Sequence, residues 1–150
     1  MHQSSALDSH EKDRAATAQT VANLVTAWNN HDVHAFAATF AEDADFTNVA
    51  GKCARGRANV EAFHAPLFAS IFKESHQVST IRSIRFLTSD LAAVDIDCEM
   101  TGAKASDGTP RPWRKTLINT VMAKQSDGSW LILVLHNSEL TSFVSAPPPK

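Results

Sequence analysis

Basic residues do not cluster anywhere in this chain, and a formal net charge of −2 leaves no excess to neutralise a phosphate backbone. Nucleic acid is therefore not expected as the main partner. No apolar run approaches the length of a bilayer span, the longest uninterrupted one being Trp130 to Leu135, so no membrane partner is expected. The opening MHQSSALDSHEKDR has no apolar segment behind a basic one and does not read as a secretory signal. Only two cysteines occur, Cys53 and Cys98; without an export signal they are expected to stay reduced, in a cytoplasmic protein. There is no GxGxxG, phosphate loop, nucleophile elbow or HExxH, so no cofactor is expected. His31 and His34 have a spacing that metals can use, but they flank a turn and lack a nearby third ligand, so no metal site is expected.

What is present is enough for one domain. A chain of 150 residues, 43% of them hydrophobic, can bury roughly two-thirds of its unfolded surface. Residues 1–7 and 143–150, the latter with its closing APPPK, are read as flexible tails around a single domain at 8–142.

The order of elements is helix first, sheet after. Asp8 and Glu11 have capping-box spacing, and Val21, Leu24, Val25 and Trp28 form one apolar stripe, so a first helix is expected from near Asp8 to Asn29-Asn30. Asp32 caps a second helix with the stripe Val33, Phe36, Ala37 and Phe40. Ala44 to Val49 reads as a short strand, and Gly51 and Gly56 bracket a turn around Cys53. A third helix is expected over about 57–72, with Val60, Phe63, His64, Leu67, Phe68 and Ile71 on its buried side and a kink at Pro66.

Four strands follow, at about 77–88, 91–102, 113–125 and 129–139, with tight hairpin turns at Ser89-Asp90 and Ser126-Asp127-Gly128. The strand at 91–102 alternates: Val94, Ile96, Cys98 and Met100 face one way, Asp95, Asp97 and Glu99 the other. Leu131 to Leu135, by contrast, is apolar on both faces. With no helix left to cover the second face, a homodimer through the outer sheet face is expected. Together these elements describe an α+β fold, a curved, mostly antiparallel sheet wrapped around three N-terminal helices, with a hollow suited to a small-molecule ligand.

The AWNNHD turn, the FAEDADFTN segment, the GR that opens the third helix and the closing LHN together resemble the nuclear-transport-factor-2-like superfamily, most of all its polyketide-cyclase-like (SnoaL-like) and SgcJ/EcaC branch, over about residues 12 to 140. The resemblance implies a cone-shaped α+β barrel with an internal pocket between the helices and the concave sheet face. It fits isomerases, cyclases, dehydratases, hydrolases and proteins that only bind or dimerise, so fold alone does not select a function. Laying the superfamily's ketosteroid isomerase pattern over Phe40 to Ala44 puts Asn48 at the base and Leu24 at the tyrosine acid, and a looser match of the last hairpin puts Thr120 at the second Asp. An amide cannot take a proton from carbon and leucine donates nothing, so ketosteroid isomerase activity is not expected.

His64 sits on the inward stripe of the third helix, and imidazole titrates near working pH, which makes it the candidate acid–base. The family register turns the acidic strand face toward the cavity, and Asp97, the middle of its three carboxylates, is read as the deepest and as the second catalytic candidate. Trp28, Phe46, Asn48, Phe68 and Asn137 are the candidate substrate-binding residues; Asn137 is read as inward and His136 as outward. The function so implied is binding of a ring-shaped or polyketide-like molecule, with cofactor-independent cyclisation, isomerisation or dehydration by proton transfer. The second reading is a non-catalytic dimeric module with a vestigial pocket.

Overall fold

A computed structural model describes the backbone of residues 2–140 and the side chains of residues 10–140. The expected C-terminal tail, 143–150, lies outside the described residues. Helix α1 spans His2–Asn29, starting six residues before the expected cap at Asp8 and running over most of the expected N-terminal tail. Next come α2, Val33–Ala38; β1, Phe40–Thr47; β2, Cys53–Arg55; and α3, Arg57–Phe68. The chain then forms β3, His76–Phe86; β4, Leu91–Thr101; β5, Arg114–Lys124; and β6, Trp130–Leu140.

The six strands form one curved, open sheet in the order β2-β1-β6-β5-β4-β3. Every neighbouring pair is antiparallel except β1 and β6, which run parallel, because the chain reaches β1 from the helices and returns to its side only at the end. The turn read around Cys53 between Gly51 and Gly56 instead holds the three-residue strand β2, which pairs Phe46 with Ala54 and Thr47 with Cys53. Such a strand is too short to show a period in sequence.

The helices cover one sheet face. Along β4, Ala92, Val94, Ile96, Cys98 and Met100 are all buried against them. Fully burying side chains such as Phe40 and Ile132 contributes on the order of 1.5–3 kcal/mol each. Polar ties fix α1 across the sheet. Thr20 donates to the Trp130 carbonyl at 2.5 Å and the Trp130 indole donates to Asp13 at 3.1 Å. At the other end, Asn29 donates to the Gln77 carbonyl and accepts from the Gln77 N–H. Asp32 caps α2 by accepting from the Ala35 N–H.

Two local irregularities shape the cavity side. Pro66 lies in the last turn of α3, which ends at Phe68, four residues earlier than the sequence pattern suggests. In the β5–β6 ladder, Val121 pairs with Val134 but Met122 with Ile132, so Leu133 is an extra residue. This bulge lets Ile132 and Leu135 both be buried, and accounts for much of the unbroken apolar run. Gly102 is required where it stands: its φ is +80°, and a Cβ there would lie 2.3 Å from the Glu74 carbonyl oxygen.

Candidate functional site

Between α1, α3 and the ends of β1, β5 and β6 lies a cavity of about 360 Å³. Its deep wall is apolar: Leu24 and Trp28 come from α1, Phe36 from α2, Phe46 from β1, Ile118 from β5 and Leu135 from β6. Its rim is polar, with the exposed Lys52 on the turn after β1 and the exposed Arg111 before β5.

His64 lines this cavity and is 3% exposed. Its Nδ1 is 2.7 Å from the Val60 carbonyl oxygen, so Nδ1 carries the hydrogen and donates, leaving Nε2 as the lone-pair nitrogen. Phe36 and Phe46 flank the ring at 4.6 Å each, and Phe63 lies at 5.1 Å. Burial among these rings pushes the His64 pKa down to about 4, the Val60 carbonyl opposing it only in part. His64 is therefore neutral at pH 7, a hydrogen-bond acceptor toward the cavity.

Asp97 does not join it. The buried side of β4 is its apolar side, so the acidic row Asp95, Asp97 and Glu99 faces away from the helices, reversing the cavity placement expected from the family register. Apolar burial decides which face of an alternating strand turns inward. On the outer face, Asp97 takes both arms of the Arg82 guanidinium, at 2.5 and 3.1 Å, which holds its carboxyl below the usual range. Asp95 accepts from Asn119 at 2.8 Å.

The expected binding residues divide. Trp28, Phe46, Asn48 and Asn137 line the cavity. Phe68 does not; it is 5% exposed and packs behind Trp28, ring to ring at 4.7 Å, as core. Trp28 is held by its indole N–H, which donates to Ser75 at 2.9 Å. The Asn48 side-chain oxygen accepts from the N–H groups of Ala50 and Lys52, both at 2.9 Å, and so builds the rim turn. Asn137 is inward and His136 exposed. The Asn137 side-chain oxygen is buried without a partner. Of the residues at the superfamily's isomerase positions, Leu24 lines the cavity, and Thr120 spends its hydroxyl on the Val94 carbonyl at 2.8 Å.

Four polar lining residues escaped the sequence reading: Lys52, Gln77, Arg111 and Arg114. The available signal was alternation. Thr116, Ile118, Thr120 and Met122 are buried on the helix side of β5, and Arg114 heads the same row. A strand-end arginine otherwise reads as surface. Its guanidinium carbon lies 5.9 Å over the Phe72 ring, and its Nε is buried without a partner. Burial lowers the Arg114 pKa, and the Glu139 carboxylate opposes that. Among the described residues no cluster of three His, Cys, Asp or Glu could hold a metal; His31 is engaged with the Ser75 carbonyl and His34 with Glu61. No described helix is long and apolar enough to cross a membrane.

Residues 21–129 match the family model of the SnoaL-like domain. The chain belongs to the SnoaL-like domain family. Among solved structures, this SnoaL-like domain is similar to a domain of unknown function with a cystatin-like fold from Nostoc punctiforme, at 27% identity and a TM-score of 0.77, covering 89% of this chain and 81% of that one. An uncharacterised cystatin-like protein from Caulobacter vibrioides matches at 23% identity and a TM-score of 0.80, covering 88% and 92%. A ketosteroid isomerase-like protein from Erwinia carotovora matches at 20% identity and a TM-score of 0.69, covering 85% and 95%. The last two likenesses carry the fold alone. No protein of curated function matched this SnoaL-like domain.

Proposed function

We propose that this SnoaL-like domain binds a small, flat, largely apolar molecule in the helix–sheet cavity, and that His64 Nε2 is its proton acceptor in a cofactor-independent reaction of the isomerisation, cyclisation or dehydration type. The observation that carries this reading is a neutral imidazole that lines an apolar cavity with Nδ1 fixed by Val60 and Nε2 engaged by no protein group among the described residues. A cavity of this size is at the small end of ordinary ligand sites. The chain contains no tyrosine, so no phenol can act as the acid, and among the described residues no Asp or Glu lines the cavity. His64 thus works without a carboxylate partner. With a pKa of about 4 it is a weak base, matched to a proton already acidified by a neighbouring carbonyl or aromatic ring. Once protonated, the imidazolium would face the Phe36 and Phe46 rings, a cation–π arrangement.

The likeness to the ketosteroid isomerase-like protein supports a shared cavity architecture and no more, because Asn48 stands where that chemistry needs a carboxylate. The test is titration with the neutral probe 6-hydroxy-2-naphthamide, followed by isothermal calorimetry. Saturable binding with a sub-millimolar Kd is expected, weakened about tenfold by His64→Phe, which removes the acceptor and fills the space beside Phe46. No binding at 1 mM would refute the reading.

Self-association through the outer sheet face is a separate proposal. One row there is apolar, Ala93–Val121–Val134, while the next row, Asp95–Asn119–His136, is polar. Half-buried apolar side chains in a lone chain support a second copy of this face as their cover.

A further inference from the structure

The cavity is asymmetric in charge. Lys52, Arg111 and Arg114 line it and among the described residues no carboxylate does, although the whole chain carries a formal net charge of −2. Three cations around an apolar hollow, with the acidic residues of β4 turned to the other side of the sheet, make a site of positive potential in a weakly acidic protein. Within it, Arg114 is placed unlike a surface arginine. Its guanidinium plane borders Phe72, its Nε is buried without a partner, and among the described residues it takes part in no ion pair. A buried donor left unpaired carries a desolvation cost that a ligand can relieve. Asn137 offers the complementary defect, a buried side-chain oxygen with no donor.

We infer that the ligand is an aromatic or polycyclic carboxylate bearing a hydroxyl group: the carboxylate is taken by the Arg114 fork, the hydroxyl donates to the Asn137 oxygen, and the apolar rings lie against Phe46 and Ile118. The inference rests on the cavity reading above and adds the sign of the ligand's charge to it. A guanidinium presents two parallel N–H groups to a carboxylate, a pairing that lysine cannot reproduce. The depth ordering fits: exposed Lys52 and Arg111 at the rim attract the anion, half-buried Arg114 receives it, and the apolar wall accepts the rings. Burial that lowers the Arg114 pKa still leaves it a cation at neutral pH.

Calorimetric titration of the intact chain with 6-hydroxy-2-naphthoate and with its neutral amide, 6-hydroxy-2-naphthamide, separates the two readings. The carboxylate is expected to bind at least tenfold tighter, with a preference that weakens as salt is raised. Arg114→Met should abolish the preference. Equal binding of the two probes to the unaltered chain overturns the anion inference and leaves the cavity reading standing; no binding of either at 1 mM overturns both. An undiminished preference in Arg114→Met overturns the role of Arg114. Should that variant lose its far-UV dichroism, Arg114→Lys decides: it keeps the charge without the fork, and a preference reduced threefold or more supports the inference, whereas an unchanged one overturns it.

Discussion

Lowering the pH should destabilise this fold through His64 before the carboxylates contribute. In the unfolded chain the imidazole has its ordinary pKa near 6.5; in the folded chain burial holds it at about 4. Between those values the unfolded state binds a proton that the folded state does not, so stability is complete above about pH 6.5 and falls as the pH drops toward 4. At 3% exposure the group is shielded enough for the full shift to count. Each pH unit across this window costs about 1.4 kcal/mol, which gives about 2 kcal/mol between pH 7 and pH 5. Urea unfolding at the two pH values, on the unaltered chain and on His64→Phe, isolates the term. The variant should lose about 2 kcal/mol less than the unaltered chain over the same interval, since Phe neither titrates nor leaves Val60 without its helical partner. The reasoning fails if the two chains show the same pH dependence, or if the His64 ring resonances titrate near 6.5 in the folded protein.

Other consequences follow from the geometry. Asp97→Asn should leave naphthamide and naphthoate affinities unchanged in calorimetry, because the carboxylate pairs with Arg82 on the far face of the sheet. Gly102→Ala should cost at least about 2 kcal/mol in urea unfolding, since a side chain at φ +80° is strained and its Cβ meets the Glu74 carbonyl. Light scattering should give about twice the chain mass at micromolar concentration, and Val121→Glu, in the middle of an apolar row on the outer face, should return it to the mass of one chain; a clean monomer before substitution would contradict the self-association proposal.

The large features of the fold were open to sequence reasoning because they are periodic. The Val21–Leu24–Trp28 stripe, the Asp32 cap and the alternation of β4 follow from spacing alone, and each has a single way to bury its apolar side. The site was less legible. A resemblance to a superfamily turned the acidic row of β4 inward, although its own alternation already assigned Val94, Ile96 and Cys98 to the buried side. Phe68 and His64 share one helical stripe, and no period separates a side chain that lines a cavity from one that packs behind it. Leu131 to Leu135 read as a strand buried on both faces, when a bulge at Leu133 explains much of the lost alternation; bulges leave no reliable trace in composition. Arg114 was missed because a charge at a strand end reads as solvent-facing until the neighbouring strands and Phe72 are in place.

The most direct test of the central claim, that the helix–sheet cavity receives a flat anionic ligand against His64, is a crystal structure of the chain soaked in 6-hydroxy-2-naphthoate. The account predicts the ring system between His64, Phe46 and Ile118, with the carboxylate within hydrogen-bonding distance of the Arg114 guanidinium. A cavity still empty at saturating probe, or the probe bound only on the outer sheet face, would contradict it.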